Sequence, residues 1–225
     1  MVLYSKTPGR VASHGRKPLY VWSDAYYVPE ETVQGVARRG AGLGIVAYDP
    51  ESGKRIVSYL QTPEYFFELF EPKSQYVGQL EALAVLAADM TMAKEWPGCM
   101  ADRRVVHFVD NTSALAGLQK GYSSRPDTAL LIMAFWLHAA LLAAVPSFEY
   151  VRSKLNIADL ASRGDVATLL SVLPRSVQVE LVLPPPSMWA KPFDQWSPCM
   201  RAGRASRTSA QKKAAKRARG TGPTL

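Results

Sequence analysis

Leu19-Tyr20-Val21-Trp22-Ser23-Asp24-Ala25-Tyr26-Tyr27 is a run of β-forming residues broken at its centre by one carboxylate. Side chains alternate across a strand, so Trp22, Asp24 and Tyr26 share one face of it. A buried carboxylate without a partner is costly. Asp24 therefore either meets a cation or a hydrogen-bond network, or marks an exposed strand end. Three more carboxylates lie downstream in comparably awkward places: Glu81, Asp110 and Asp159.

Working outward, Ala41 to Tyr48 reads as a second strand, the Asp49-Pro50-Glu51-Ser52-Gly53-Lys54 run as a turn, and Arg55 to Gln61 as a third strand in an antiparallel hairpin. Val77 to Lys94 is predicted helical and apolar nearly all round, which suits burial against a sheet. Glu81 is the only charge in its first three turns, so it either sits on an exposed rim or turns toward Asp24. Val105 to Asp110 alternates and runs directly into Asn111-Thr112-Ser113, the start of a helix. That strand-to-helix step belongs to a parallel sheet, with Asp110 at the carboxyl end of its strand, where functional residues gather. A cap is the plainer role for Asp110, but its three successors can all cap. Thr128 to Val145 holds 18 residues without a formal charge. It contains His138, lies between sheet elements and is only as long as a core helix, so a buried helix is expected rather than a membrane span. Ser147 to Val151 reads as a short last strand. Asn156 then looks like an N-cap, with Asp159 in the first turn, where the helix dipole alone would favour an acid.

At 225 residues and 48% hydrophobic content, one sizeable core is expected. The expected organisation is a basic flexible arm at 1–18, a folded domain at 19–174, a proline-rich extension at 175–200 carrying Trp189, Phe193 and Trp196, and a basic tail at 201–225. The net charge of +8 is uneven. The tail holds eight Lys or Arg and the arm four, neither holding an acid, which leaves fifteen basic against nineteen acidic residues between them. Basic arms on an acidic body suit a protein whose arms meet a polyanion while its body holds cations. Cys99 and Cys199 form no metal-binding or disulfide pattern, and no apolar segment follows the basic start. No secretory signal and a cytoplasmic or nuclear location are the expectations.

The order Asp24 on a strand, two more strands, Glu81 on a helix, Asp110 at a strand end and Asp159 at a helix start resembles the ribonuclease H family. The most specific piece is Leu155-Asn156-Ile157-Ala158-Asp159-Leu160-Ala161-Ser162-Arg163-Gly164, which is similar to the Asn-x-x-Ala-Asp-x-x-Ser-Arg signature of retroelement members. Ser23-Asp24-Ala25 and Val109-Asp110-Asn111 also resemble long-terminal-repeat and DIRS-type elements. The resemblance implies an α/β fold: a mixed five-stranded sheet, three antiparallel strands and then parallel ones, with flanking helices. It implies a catalytic, metal-binding quartet of Asp24, Glu81, Asp110 and Asp159 around two Mg²⁺ ions, with Mn²⁺ able to substitute. The activity implied is hydrolysis of the RNA strand of an RNA–DNA hybrid, alongside a reverse transcriptase of the same element. Asn111, Thr112, Ser113, Gln79 and Arg163 are the expected nucleic-acid contacts, though the first four also suit caps or surface positions. The loop before Asp159 reads Arg152-Ser153-Lys154-Leu155, without the histidine many cellular members carry there, and His14, His107 and His138 do not fit that role. A non-catalytic binding module and an integrase or transposase relative remain the alternatives.

Overall fold

The computed structural model describes residues 15–33, 36–72 and 74–190. Strand β1 (Leu19–Val33) pairs antiparallel with β2 (Val36–Tyr48), which pairs antiparallel with β3 (Arg55–Gln61). Between β2 and β3 the turn closes through the Asp49 and Lys54 backbones, with Gly53 supplying the positive φ of 72°. After the short helix α1 (Tyr65–Glu68), the chain enters helix α2 (Val77–Glu95). Strand β4 (Arg104–Val109) returns parallel to β1. Helices α3 (Thr112–Lys120) and α4 (Pro126–Leu141) then lead to β5 (Val145–Tyr150), parallel to β4. This is a ribonuclease H-like sheet, three antiparallel strands extended by parallel ones.

The sheet has six strands rather than five, in the order β5-β4-β1-β2-β3-β6. The extra strand is β6 (Ser176–Gln178), parallel to β3. Its pairing follows from a need to cover the β3 edge, whose backbone groups would otherwise be unpaired. Val179 and Leu181 then continue the apolar cover. The Ser58 hydroxyl donates to the Val179 carbonyl at 2.7 Å, and the Val182 N–H to Thr91 Oγ1 at 3.0 Å. A last turn, α7 (Pro186–Trp189), buries the Trp189 ring against Phe66 and Phe70. The compact body thus runs to Ala190, and Phe193, Trp196 and the basic tail lie outside the described residues, as do residues 1–14 of the arm. Arg16 and Lys17 are held by Glu51, through the Arg16 side chain at 3.1 Å and the Lys17 N–H at 2.9 Å.

Helix α2 is apolar all round because it is enclosed by the sheet on one side and α4 on the other. Leu131, Ile132 and Phe135 of α4 face this core, while Met133, Leu137 and Leu141 are exposed. Among the described residues no helix is long and apolar enough to cross a membrane.

The opposite face of β2 and β3 carries helix α5 (Ala158–Ser162) and helix α6 (Val166–Val172). Their approach is set by Gly42 and Gly44, where side-chain methyls would overlap the Ser162 backbone; at Gly44 the Ala158 carbonyl would also lie 2.7 Å from a Cβ. Two glycines on the α5-facing register of a central strand weaken that strand. What they permit is a helix backbone lying directly on it, which brings residues 158–163 to Asp24, the β1 partner of Gly44. Gly44→Ala should therefore push α5 off the sheet and cost about 1–3 kcal/mol by overpacking. Urea denaturation of the two proteins measures that difference.

Candidate metal centre

Asp24 lies in β1, Glu81 in α2 and Asp110 directly after β4, three segments far apart in the chain. Parallel pairing of β4 with β1, from Leu19 with Val105 to Trp22 with Phe108, brings the carboxyl end of β4 beside Asp24 in the middle of β1, and α2 packs against β1. The three carboxylates offer oxygens that all lie within 4.8 Å of one another. Asp159 lines the same cleft, which has a volume of about 410 Å³, but falls outside that group of three. Its carboxylate accepts from Arg163 Nε at 2.9 Å, and the Arg163 guanidinium lies 5.1 Å from the centre of the Tyr26 ring.

Like charges this close disfavour full ionisation. Burial pushes Asp24 up to about 6, with Asp110 and Asp159 adding repulsion and the Ser162 hydrogen bond acting against them. Burial, reinforced by Asp24 and Asp110, likewise holds Glu81 well above the usual carboxylate range. Glu81 Oε2 is buried and has no hydrogen-bond partner among the described residues. An all-oxygen donor set with an orphaned carboxylate oxygen suits a hard divalent cation, so Asp24, Glu81 and Asp110 fit such an ion.

Two residues outside the expected quartet, Ser162 and Asn156, hold Asp24 in place. The Ser162 hydroxyl donates to Asp24 Oδ2. Asn156 Nδ2 reaches Asp24 Oδ1 at 3.4 Å and the Ser23 carbonyl at 3.0 Å, while Asn156 Oδ1 accepts from the Ala158 N–H at 3.2 Å. Asn156, expected as the N-cap, lies one residue before the Ile157 N-cap of α5, where it both takes the Ala158 N–H and braces Asp24. The visible signal was the Asn156-x-Ala158-Asp159-x-x-Ser162-Arg163 run, which places Ser162 one turn beyond Ala158 on the face turned to the sheet.

Asn111 caps α3, accepting from the N–H groups of Ser113 and Ala114 at 3.1 and 3.0 Å, which leaves Asp110 free of capping duty. Asn111 also borders a second, polar cleft of about 600 Å³ that includes Gln79, Ser113, Lys120, Tyr122 and Arg125. Gln79 is buried there, its amide donating to Asp127 at 3.1 Å. Thr112 is exposed on the first turn of α3. His107 and His138 lie away from the acidic cleft, His107 deep in the core, and His14 is outside the described residues. A 3-10 turn, Ser153–Leu155, occupies the loop before Asp159, and Ser153 lines the cleft.

No protein-family model matches the chain, and no curated protein matches it in sequence. Several solved structures resemble it, all at TM-scores below 0.5 among those compared. The N-terminal RNase H domain of a Mycobacterium tuberculosis protein is 11% identical, with 69% of this chain and 98% of that one covered at a TM-score of 0.46. LC11-RNase H1, isolated from compost by a metagenomic approach and solved in complex with an RNA/DNA hybrid, is 14% identical, covering 67% and 99% at 0.47. The prototype foamy virus protease-reverse transcriptase is 15% identical, covering 90% of this chain but 21% of that one at 0.28.

Proposed function

We propose that this chain is a metal-dependent endonuclease of the retroelement ribonuclease H type, hydrolysing the RNA strand of RNA–DNA hybrids made by a reverse transcriptase of the same element. The observation that carries the reading is the convergence of Asp24, Glu81 and Asp110 in one cleft, with Asp24 braced by Asn156 and Ser162. Asp24, Glu81 and Asp110 would hold one Mg²⁺ or Mn²⁺, and Asp24 with Asp159 a second. Bound divalent ions supply an activated water and neutralise charge at a phosphodiester.

The chain's own groups do the rest. Asp24 is fixed in rotamer by its two donors, so its oxygens stay aimed into the cleft. Arg163, between Asp159 and Tyr26 at the cleft wall, is a cation suited to a backbone phosphate. Asn111 and Ser113 border the adjoining polar cleft and would meet sugar and base edges of the minor groove, where the 2′-hydroxyl distinguishes RNA from DNA. Ser162→Ala removes one brace and should weaken Mn²⁺ binding about 10- to 100-fold. Isothermal titration of the two proteins measures it.

The test is incubation of the purified chain with labelled hybrid, duplex DNA and duplex RNA in Mg²⁺, Mn²⁺ or EDTA. Cleavage of the RNA strand of the hybrid alone, abolished by EDTA, is expected. Asp159 held by Arg163 outside the acidic trio favours a second reading, a module that binds hybrid without turnover. Hybrid binding with no cleavage in either metal would select it, and strand joining on duplex DNA would point to an integrase relative.

A further inference from the structure

The core holds a second acidic feature that the proposed reaction does not use. Asp89 of α2 and His107 of β4 are both fully buried, with His107 Nε2 and Asp89 Oδ1 3.4 Å apart. The imidazole stacks on Phe148 with ring centres 5.3 Å apart and meets the edge of Phe135 at 5.5 Å. Apart from facing each other, neither carboxylate oxygen nor either ring nitrogen has a partner among the described residues. His138 of α4 forms a hydrogen bond with the Asp89 backbone, so three elements meet at this point.

Burial holds Asp89 well above the usual carboxylate range and His107 down to about 3, favouring the uncharged form of each. Two uncharged groups facing each other can tolerate a dry interior, whereas either charged alone could not. A Leu pair would fill the same space without that constraint.

The surroundings of α2 explain why a directional contact matters here. Its buried surface mixes Ala82, Ala84, Ala87 and Ala88 with Leu80, Leu83, Leu86 and Met92, apolar contacts that carry no direction of their own. A buried polar contact is best attested as a device that fixes register. Asp89 lies two turns beyond Glu81 on α2, and His107 lies just before Asp110 on the strand that Asp110 ends.

We propose that Asp89 and His107 form a facing buried pair that sets the register of α2 against β4, and thereby the separation of Glu81 from Asp110. Both are positioning residues, acting through the two carboxylates. The inference rests on the reading of the acidic cleft as a cation site.

The experiment is Mn²⁺ titration of the full chain by calorimetry, with thermal melting in parallel, for wild type, Asp89→Asn, His107→Gln, Glu81→Gln and the double variant Asp89→Leu/His107→Phe. The double variant should melt at or above the wild-type temperature, because apolar replacement of a buried polar pair is often neutral or stabilising. It should nonetheless bind Mn²⁺ about tenfold more weakly, an effect of the size seen when supports of metal ligands are lost. Asp89→Asn, which keeps a donor toward the ring, should retain affinity within about threefold. A folded double variant with wild-type affinity overturns the inference alone. If the double variant does not fold, His107→Gln decides: weakened binding supports the pair, and unchanged binding overturns it. Wild-type Mn²⁺ binding that Glu81→Gln leaves intact overturns the site reading and takes the inference with it.

Discussion

Asp110→Asn lowers Mg²⁺-dependent cleavage of hybrid RNA by about a thousandfold or more, with the protein still folded and melting at or above the wild-type temperature; this is the expected result. The side chain keeps its shape, and Asn111 rather than Asp110 caps α3, so no secondary structure depends on the lost charge. Within a cluster whose oxygens lie within 4.8 Å of one another, removing one anion relieves repulsion on Asp24 and Glu81. Loss of a metal ligand and relief of strain thus act on different observables, activity and stability. Single-turnover cleavage and a thermal melt read them separately. A variant that cleaves as the wild type does removes Asp110 from the site.

Asp24→Asn carries the other large effect, seen without any substrate. In the folded protein Asp24 is raised from 3.8 to about 6, chiefly by burial. Below about pH 4 the group is protonated in folded and unfolded chains alike and burying it carries no charge penalty. As pH rises through about 6 the folded state must hold a buried anion while the unfolded chain ionises freely, so stability is lost. The shift is worth about 3 kcal/mol. In EDTA at pH 7.5 the Asn variant should therefore melt roughly 6–12 °C above the wild type, a gap that closes toward pH 4. The difference between the two proteins is the quantity to follow. His107, held down to about 3, contributes in the opposite direction, its stability being lost as pH falls below about 6.5, and that contribution cancels in the comparison. Saturating Mg²⁺ should reverse the order, since binding to the folded state favours the protein that keeps the ligand. Equal melting temperatures in EDTA across this range would show that Asp24 bears no buried charge.

The other expected effects are smaller for identifiable reasons. Gly44→Ala acts on α5 docking, and Ser162→Ala removes one of two donors to Asp24, with Asn156 still in place. Arg103 shows what full pairing does elsewhere in the protein. Its guanidinium reaches Asp49 at 2.5 Å and the Lys17 carbonyl at 2.6 Å, and despite desolvation it draws Asp49 down to about 2. Among the described residues no Lys or Arg is bonded to Asp24 or Glu81 in this way, Arg163 acting on Asp24 only as a weaker, more distant charge, and that contrast sets the acidic trio apart from a completed structural pair.

Local chemistry determined the parts that need only local information. Alternation through Leu19–Tyr27, the Asp49–Lys54 turn, the Ala/Leu helix around Glu81 and the strand-to-helix step at Asp110 all depend on neighbours in the chain, so their elements and their order were legible in the sequence. The family resemblance then named the four carboxylates. Tertiary structure alone decided which partners those carboxylates have, because partners come from distant segments. Ser162 reaches Asp24 only because two glycines on β2 let a helix backbone lie on the sheet. Gln79, a plausible surface polar by sequence, is committed to Asp127. Strand β6 exists because the β3 edge offers unpaired backbone groups, not because Ser176–Gln178 has a strong preference of its own. Asp89 and His107 show no pattern in the chain, and become a pair only when α2 packs against β4.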